Sequence, residues 1–301
     1  MFSYDNVVKI LKNNGLKKSD LTKVLGISSR TVAKIGKGER IADNVLQKIA
    51  DYCGCLVEDL YCEVCDNPIL QVLREEMDGK ISGGLYHETQ VRLTYNSNRI
   101  EGSKLSEDQT RLIFETNTIG VEEGVSVDDI IETSNHFRAI DYVIAHVEDA
   151  LTEVFIKELH RILKMATSDS RISWFRVGDY KSKPNTVGGA PTVLPKQASS
   201  EMQNLLDWYA RFEKIAFEDI VEFHYRFEKI HPFQDGNGKV GRLIAFKECL
   251  RHNIVPFIIE DSKKMFYYRG LREWNNEHGF LIETCLDGQD TYKALLKYFE
   301  I

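Results

Sequence analysis

Apolar side chains recur every three or four positions along most of this chain, which is the spacing of helices that bury one face. Clear examples are the runs at 217–230 and 240–250. A different pattern occurs at 185–193, where two short β-prone runs flank Gly188-Gly189. The pattern therefore predicts a mostly α protein with one small β-hairpin.

Length and composition allow two globular domains. The 301 residues are 43% hydrophobic and 28% charged, which is sufficient for a core of ordinary size. No apolar run approaches the roughly 18 residues needed to cross a bilayer. The first residues also lack the apolar core and small-residue cleavage site of a secretory signal. We therefore expect a cytoplasmic protein with no membrane partner.

The six cysteines fit reduced thiols in that compartment. Four of them form a cluster that could in principle bind zinc: Cys53, Cys55, Cys62 and Cys65. However, the spacing matches no common zinc-finger pattern, and the first pair falls where a small helical domain needs core residues. Buried or inert thiols are the favoured interpretation.

Charge is distributed unevenly along the chain. Residues 1–50 carry ten Lys and Arg against four Asp and Glu, a net +6, and the whole chain carries −7, so the remaining 251 residues carry −13. A small basic region therefore precedes an acidic body. Nucleic acid is a natural partner for the basic region.

The basic region has the pattern of several short helices. Apolar residues at 21–25 predict a helix that ends at Gly26, and Ser28 or Ser29 can cap the next helix. Another helix is predicted around residues 45–50. Residues 3–62 as a whole resemble the Cro/C1-type (XRE) helix-turn-helix domains.

By that resemblance, the helix after Gly26 is a recognition helix that enters the major groove of DNA. Its candidate DNA-contacting residues are Ser28, Ser29, Arg30, Thr31 and Lys34, with Lys37 and Arg40 directed towards phosphates. The alternative is a helical bundle that binds protein, in which these lysines form only a solvated face. The basic charge favours DNA.

Residues 231–242 read HPFQDGNGKVGR and contain a Gly-x-Gly-x-x-Gly spacing. A dinucleotide-binding turn needs a strand before the first glycine, but the residues on both sides have helical spacing and Pro232 ends the first helix. A P-loop would need Gly where Phe233 stands, and a calcium loop would need Gly where Val240 stands. None of these three loop types fits.

The parts of this stretch nonetheless indicate phosphate chemistry. Residues 236–238 leave backbone N–H groups free at the start of a helix, which is an anion site. Lys239 and Arg242, three positions apart, point along one helix face towards that anion. Asp235 can hold a divalent cation beside it, and His231 can act as a general base.

The stretch closely resembles the signature of Fic-domain proteins, His-Pro-Phe-x-(Asp/Glu)-Gly-Asn-Gly-(Arg/Lys)-x-x-Arg. The resemblance implies transfer of AMP from ATP to a hydroxyl side chain of a target protein, with release of pyrophosphate. It implies that His231 deprotonates the hydroxyl, that Asp235 binds Mg²⁺ or Mn²⁺, and that Arg242 holds the γ-phosphate. The α- and β-phosphates would be bound by Gly236, Asn237 and Gly238.

One position departs from the commonest form of the signature. Most members have Arg where this chain has Lys239, and Lys offers a mobile point charge instead of a planar fork. The phosphoryl-transferring Doc branch has Lys one position earlier, where this chain has Gly238. Adenylyl transfer is therefore favoured, with phosphoryl transfer as an alternative.

An inhibitory element is implied upstream. Residues 97–102 suit the end of a helix that Gly102 terminates. Within the same resemblance they match the inhibitory motif (Ser/Thr)-x-x-x-Glu-(Gly/Asn), so Glu101 would pair with Arg242 and exclude the γ-phosphate, with Ser97 fixing the helix. In some relatives this Glu also positions water for removal of AMP, which leaves the reverse activity open.

Two further elements follow from the resemblance. A hairpin flap that holds the target segment by strand addition is expected at Thr186, Val187, Gly188 and Gly189; the alternative is a plain surface loop. Tyr268 and Asn275 lie seven apart and so on one helix face, and they match the aromatic residue and Asn that family members place around adenine. Tyr267 and Trp274 are expected in the core.

The predicted architecture is a helix-turn-helix domain at 1–65, a linker at 66–80 and an all-helical Fic domain at 81–301, which begins with the inhibitory helix at about 86–102. The predicted function is that of an autoinhibited protein adenylyltransferase with a DNA-binding module. The competing hypothesis is a transcription regulator whose Fic fold senses nucleotide without turnover. A homodimer stays open as the assembly state.

Overall fold

The computed structural model describes residues 2–63, 67–120 and 124–301. Cys65 of the cysteine cluster and the first residue of the predicted linker lie outside these ranges. The chain divides into two compact units, residues 1–66 and 67–301. Among the described residues, no helix is both long enough and apolar enough to cross a bilayer.

The first unit is built from short helices that end at glycines or turns. They are α1 Asp5–Asn13, α2 Asp20–Leu25, α3 Ser29–Lys37 and α4 Asp43–Cys53. A 3-10 turn follows at Val57–Asp59. Two strands, β1 Phe2–Ser3 and β2 Cys62–Glu63, pair antiparallel. The sequence did not predict this pair, because two-residue strands carry no detectable periodicity.

The core of the first unit confirms the helical pattern of its sequence. One buried cluster includes Leu21, Ile35 and Leu46 from three different helices. Cys53 and Cys55 are free thiols at the edge of this cluster, and burial raises the pKa of both. Thiols with a raised pKa are weak nucleophiles.

The second unit is predominantly helical, as predicted. Its helices are α5 Pro68–Gly79, α6 Leu85–Ile100, α7 Glu107–Thr116, α8 Val127–Ala145, α9 Glu153–Lys164, α10 Pro195–Tyr209, α11 Phe217–Ile230, α12 Asn237–Arg251, α13 Lys264–Glu273 and α14 Gly279–Tyr298. Short 3-10 turns lie at Asp169–Arg171 and Asp261–Lys263.

The hairpin in the second unit also agrees with the sequence pattern. Strand β3, Thr186–Val187, pairs antiparallel with β4, Ala190–Pro191. Gly188 and Gly189 form the turn between them with φ of 57° and 80°, a left-handed region that glycine adopts without strain. Both strands are exposed.

Helix α12 lies at the centre of the second unit. Every side chain from Asn237 to Leu250 is buried, and α6, α8, α9 and α11 pack around it. Its first turns carry Lys239 and Arg242, which are 6% and 5% exposed. Because buried charges are costly without partners, the surrounding helices must supply compensating groups.

The predicted linker at 66–80 is wrong for its described part. Residues 68–79 form helix α5, and Ile69, Leu70 and Leu73 are buried in the main core. Asn67 caps this helix by accepting hydrogen bonds from the amides of Ile69 and Leu70. An Asn followed by Pro is a recognisable helix start, but the charged second half of α5 masked the apolar face.

Candidate active site

Helices α11 and α12 hold the two ends of a six-residue segment, 231–236, which we call the motif loop. The side chain of Asn237 braces this loop: its Oδ1 accepts from Phe233 N at 2.8 Å and its Nδ2 donates to Phe233 O at 2.9 Å. The amide side chain is thus used inside the loop. What Asn237 can offer an anion is its backbone N–H, since the first N–H groups of a helix have no partner within it.

His231 follows the last residue of α11 and has left-handed backbone angles, φ 50° and ψ 60°. Such angles cost a non-glycine residue roughly 1 kcal/mol and are found at functional sites. The side chain is 17% exposed. Burial, followed by the nearby Lys181 ammonium, lowers the pKa of His231 to about 4. The imidazole is therefore neutral at pH 7 and able to accept a proton.

Arg242 is held by the C-terminal end of α6. Its Nη2 donates to Glu101 Oε1 at 2.8 Å and to Ser97 O at 3.0 Å, and its Nε donates to Ser97 Oγ at 3.0 Å. The guanidinium is 4% exposed and the Glu101 carboxylate 33%. The structure thus brings together the three residues of the expected inhibitory contact.

Gly238 lies directly beneath this ion pair. A Cβ at this position would stand 2.1 Å from Glu101 Oε1 and 3.0 Å from Arg242 Nη1. Only a residue without a side chain therefore allows the carboxylate to approach the start of α12. Arg242 Nη1 is buried and has no hydrogen-bond partner within the described part of the chain, so a donor remains available above the N-terminus of α12.

Glu228 is a buried carboxyl that the sequence analysis did not single out. Its Oε2 lies 3.9 Å from His231 Nδ1, and its Oε1 lies 2.8 Å from where a Cβ on Gly241 would stand. Burial, and then the negative charge of Glu101, raise the pKa of Glu228 to about 8. The group is therefore largely protonated at pH 7.

Lys239 points away from the glycines and contacts Glu132 of α8. Its Nζ donates to Glu132 Oε2. The two expected phosphate-binding cations therefore lie on different carboxylates, Arg242 on Glu101 and Lys239 on Glu132. The sequence interpretation, in which both point towards one anion, does not describe this conformation, because each cation meets an acidic group from another helix.

Asp235 is held by Lys164, the last residue of α9. Lys164 Nζ lies 2.7 Å from Asp235 Oδ2, 2.6 Å from Glu132 Oε1 and 2.8 Å from Asp169 Oδ2. Burial alone would raise the pKa of Asp235, but the Lys164 ammonium holds it below its usual range.

Glu132, Asp169 and Asp235 have ligand oxygens within 4.8 Å of one another. Oxygen-rich carboxylate groups of this kind suit Mg²⁺ or Mn²⁺. The Asp235 side chain is 59% exposed, and one of its oxygens is bound to Lys164. The donor set therefore fits a hard divalent cation at Asp235, in competition with an ammonium that is part of the chain.

The placement of the two predicted adenine residues on one helix is wrong, while their role at adenine stays a prediction. Helix α13 ends at Glu273, and Trp274 turns into the core, where it stacks on Tyr225 at 4.9 Å between ring centroids. Asn275 is exposed and accepts from Tyr225 Oη at 3.3 Å. Tyr268 instead donates from its hydroxyl to Ile100 O at 3.1 Å, at the end of α6.

Tyr267 and Trp274, which were expected in the core, are 1% and 5% exposed. The Tyr267 hydroxyl lies 2.8 Å from His224 Nε2, and its ring lies 5.9 Å from the Arg242 guanidinium carbon. Tyr267 thus lines the floor beneath Arg242.

In the first unit, α3 presents the residues expected to contact DNA. Ser28 is the N-cap of α3, and its Oγ accepts from Thr31 N at 3.1 Å. Ser28 and Thr31 also bond each other through their hydroxyls at 2.9 Å, so both are partly used in the cap. Two members of the set, Thr31 and Lys34, are half-buried, and the others are exposed, namely Ser28, Ser29, Arg30, Lys37 and Arg40.

Glu132, Lys164 and Glu228 are site residues that sequence reasoning missed. Glu132 and Lys164 lie on helices with ordinary amphipathic spacing, and nothing in that spacing separates them from solvated charges. Glu228, three residues before His231 and on the apolar side of α11, could have been found, since a carboxyl on an apolar helix face is unusual.

Comparison with known proteins supports both halves of the architecture. Residues 150–248 match the model of the Fic/DOC family, and residues 6–64 match that of the Cro/C1-type HTH DNA-binding domain. The chain is 28% identical over 194 residues to a protein adenylyltransferase Fic of Aedes aegypti, covering 62% of this chain and 38% of the relative. With the corresponding Drosophila erecta protein it shares 30% identity over 185 residues, 59% of this chain and 36% of that one.

Solved structures give the same result for the fold. A Fic domain containing signaling protein from Bacteroides thetaiotaomicron aligns with TM-score 0.57 and 25% identity, covering 76% of this chain and 90% of that one. Fic-1 from Caenorhabditis elegans aligns with TM-score 0.60 and 18% identity, covering 97% of this chain and 98% of that one, which bears on the fold alone.

The chain spans about 38% of the length of the curated relatives it matches. Taken together, the family matches show a chain in which a stretch that matches the Fic/DOC family model, residues 150–248, follows a stretch that matches the Cro/C1-type HTH DNA-binding domain, residues 6–64.

Proposed function

We propose that this chain is an autoinhibited protein adenylyltransferase that transfers AMP from ATP to a hydroxyl side chain of a target protein and carries a DNA-binding module. The observation that carries the proposal is the arrangement around Gly238. A neutral His231 stands at one end of the motif loop. At the other end, where α12 begins, the buried guanidinium of Arg242 lies beside Gly238 and is occupied by Glu101.

The reaction uses the parts in sequence. His231 takes the proton of the attacking hydroxyl, whose oxygen forms a bond to the α-phosphorus while the bond to pyrophosphate breaks. The N–H groups at the start of α12 bind phosphate oxygens, and Arg242 holds the terminal phosphate once Glu101 leaves it. A divalent cation held by Asp235 would neutralise charge on the phosphates. The chain otherwise contributes by holding the attacking hydroxyl and the phosphates in position.

Autoinhibition follows from competition for one guanidinium. While Glu101 and Ser97 occupy Arg242, the terminal phosphate has no charged partner there, and the α-phosphorus is not presented in line with the attacking oxygen. Charge-assisted bonds of this kind are stronger than neutral hydrogen bonds. Release of Glu101 is therefore the step that would allow productive binding.

The test is transfer of labelled AMP from ATP with Mg²⁺ or Mn²⁺, onto the protein itself and onto lysate proteins. Wild type, Glu101→Gly, and Glu101→Gly with His231→Ala would be compared. Labelling should rise in the first variant and vanish in the double variant. Glu101→Gly with His146→Ala is the matched control, because His146 is exposed and pairs with Asp149 away from the motif loop. Equal labelling with and without His231 would overturn the proposal.

The second candidate function is a nucleotide-sensing regulator of DNA binding. It is favoured by the ion pairs that both cationic side chains already make, Arg242 with Glu101 and Lys239 with Glu132. Because a bound nucleotide would have to replace these carboxylates, nucleotide binding must rearrange α6 or α8. A sensor should keep ATP-dependent DNA binding after His231→Ala, whereas the enzyme requires His231 for every transfer.

A further inference from the structure

Lys181 lies just before the hairpin and is only 2% exposed. Its ammonium donates to Asn185 Oδ1 at 2.8 Å, to Thr192 Oγ1 at 2.7 Å and to His231 O at 2.7 Å, with Ile230 O further away at 3.5 Å. Asn185 precedes strand β3 and Thr192 follows strand β4. One ammonium therefore joins both ends of the hairpin to the carbonyl of His231.

Backbone contacts strengthen the same connection. Lys181 N donates to Pro232 O at 2.8 Å, and Asn185 Nδ2 donates to Phe233 O at 3.1 Å. Thr192 closes the base of the hairpin, with its Oγ1 3.0 Å from Asn185 O. The hairpin is thus fixed to the motif loop at its base, while its two strands stay exposed.

The positive charge of Lys181 is unusual for such a contact. Its partners in the described part of the chain are all neutral oxygens, and burial lowers the pKa of Lys181 to about 8. Buried charges are normally paired with an opposite charge. A neutral donor could make these bonds without that cost, whereas a charged donor also acts electrostatically on the titratable groups around it.

That neighbour is His231. After burial, the Lys181 charge is the next cause that lowers the pKa of His231, while the Glu228 backbone and the charges of Glu101 and Asp235 raise it. The Glu228 carboxyl also lies near the ring, with Oε2 3.9 Å from Nδ1. A cation on the carbonyl of a general base therefore favours the neutral imidazole that can accept a proton.

We propose that Lys181 is a positioning residue that fixes the hairpin flap relative to His231 and places a positive charge on the His231 carbonyl. The role of His231 as the base rests on the proposed function, but the placement of the charge does not. The two effects are separable, since the bonds to Asn185 and Thr192 act on the flap and the bond to His231 O acts on the imidazole.

The experiment is an NMR titration of histidine-labelled full-length protein, which follows the His231 imidazole in wild type, Lys181→Met, Lys181→Arg and Lys247→Met. In Lys181→Met the pKa of His231 should rise by about half a pH unit or more, and Lys181→Arg should restore the wild-type value. Lys247 is the matched control, because it is also buried and also donates to backbone carbonyls, those of Val147 and Asp149. A folded Lys181→Met protein whose His231 titrates as in wild type would overturn the proposal.

A milder variant covers the case in which Lys181→Met does not fold. Thr192→Val removes the bond from the Lys181 ammonium and the bonds from the Thr192 hydroxyl to Asn185, and it leaves the charge of Lys181 in place. The ¹⁵N relaxation of the Val187 and Ala190 amides should show a more mobile hairpin, with no change in the His231 titration. A hairpin as rigid as in wild type would contradict the flap half of the inference.

An activity measurement separates this inference from the proposed function. In a Glu101→Gly background, Lys181→Met should lower kcat/KM for the acceptor by about 10-fold or more while KM for ATP stays unchanged. If Glu101→Gly itself transfers no AMP, the proposed function fails, and the His231 titration still decides the placement of Lys181.

Discussion

Arg242 donates from Nη2 to Glu101 Oε1 at 2.8 Å, although the two residues lie 141 positions apart in the chain. Ser97, one helical turn before Glu101, binds the same guanidinium through its hydroxyl and its carbonyl. The contact therefore depends on the orientation of the last turn of α6 as well as on charge. Tyr268, through its bond to Ile100 O, fixes the same turn from the side of α13.

Ser97→Ala should release Arg242 only in part. The substitution removes the bond to Nε but keeps the Ser97 carbonyl and the Glu101 carboxylate. One hydrogen bond contributes about 0.5–1.5 kcal/mol, so AMP labelling should rise about 2- to 10-fold above wild type and stay below that of Glu101→Gly. Initial labelling rates measure this. Ser103→Ala is the control, since its hydroxyl accepts from Leu105 N instead; a rate equal to wild type in Ser97→Ala would show that the hydroxyl does not hold the contact.

Glu228→Gln should change how stability depends on pH. The pKa of Glu228 is about 8 in the folded protein against 4.5 as its ordinary value. Between these values the folded state keeps a proton that the unfolded state loses. The stabilising contribution of Glu228 to the free energy of unfolding is therefore fully present below pH 4.5 and is lost as pH rises through 8. The difference in free energy of unfolding between Glu228→Gln and wild type should therefore shift by about 1–3 kcal/mol in favour of the variant as pH rises from 4.5 to 8.5.

Thermal unfolding at pH 4.5, 7 and 8.5 measures this difference. Glu222→Gln is the matched control, because Glu222 lies on the same helix but pairs with Arg226 at the surface. The assignment of a raised pKa to Glu228 would be wrong if the two variants showed the same dependence of Tm on pH.

Lys164→Met should make the protein depend on a divalent cation for stability. Lys164 is 2% exposed and binds three carboxylates. Removal of one partner of a buried ion pair costs about 3–5 kcal/mol, which we reduce to about 2 kcal/mol because Asp169 and Asp235 are partly exposed. Mn²⁺ should then raise the Tm of the variant more than that of wild type.

The control for this measurement is Lys157→Met on the same helix, where the lysine is half-buried and pairs with Glu153 and Asp179. Its Tm should respond to Mn²⁺ as wild type does. An equal response in Lys164→Met would mean that the carboxylates around Asp235 do not take the cation in place of the ammonium.

Lys37→Ala should weaken DNA binding uniformly across sequences. Lys37 is exposed at the C-terminal end of α3 and is expected to contact phosphate. The loss of one phosphate contact lowers the slope of log K against log salt by about 1. A duplex obtained by random-sequence selection would serve as the probe, titrated at several salt concentrations. Lys48→Ala, an exposed lysine on α4, should keep the wild-type slope; an unchanged slope in Lys37→Ala would place Lys37 outside the interface.

Local signals were sufficient for much of the fold. The end of α2 at Gly26, the Ser28 cap of α3, the Gly188-Gly189 hairpin and the helices on both sides of the motif loop were all predictable. Each of these depends on residues that are neighbours in the chain, and capping, turn and periodicity rules describe such neighbours well.

Other features depend on residues that meet only after folding. Glu132 and Lys164 reach the motif loop from α8 and α9, and their partners are 107 and 71 positions away. Asn275 was misplaced because α13 ends at Glu273 and Trp274, the next residue, stacks on Tyr225 in the core. Tertiary packing decides both, and a single sequence does not contain that information in a local form.

The absence of a side chain at Gly238 makes two states of the molecule mutually exclusive. The space above its Cα holds the Glu101 carboxylate, at a distance that a methyl group would not allow, and the same space lies over the amides that attract an anion. Because one volume accepts one negative group at a time, the internal carboxylate is, under the proposed function, a tethered competitor of the phosphate. The apparent affinity of the loop for a phosphate is then the intrinsic affinity multiplied by the fraction of molecules in which Glu101 is released, so the nucleotide concentration and the stability of the last turn of α6 together set how often nucleotide occupies the site.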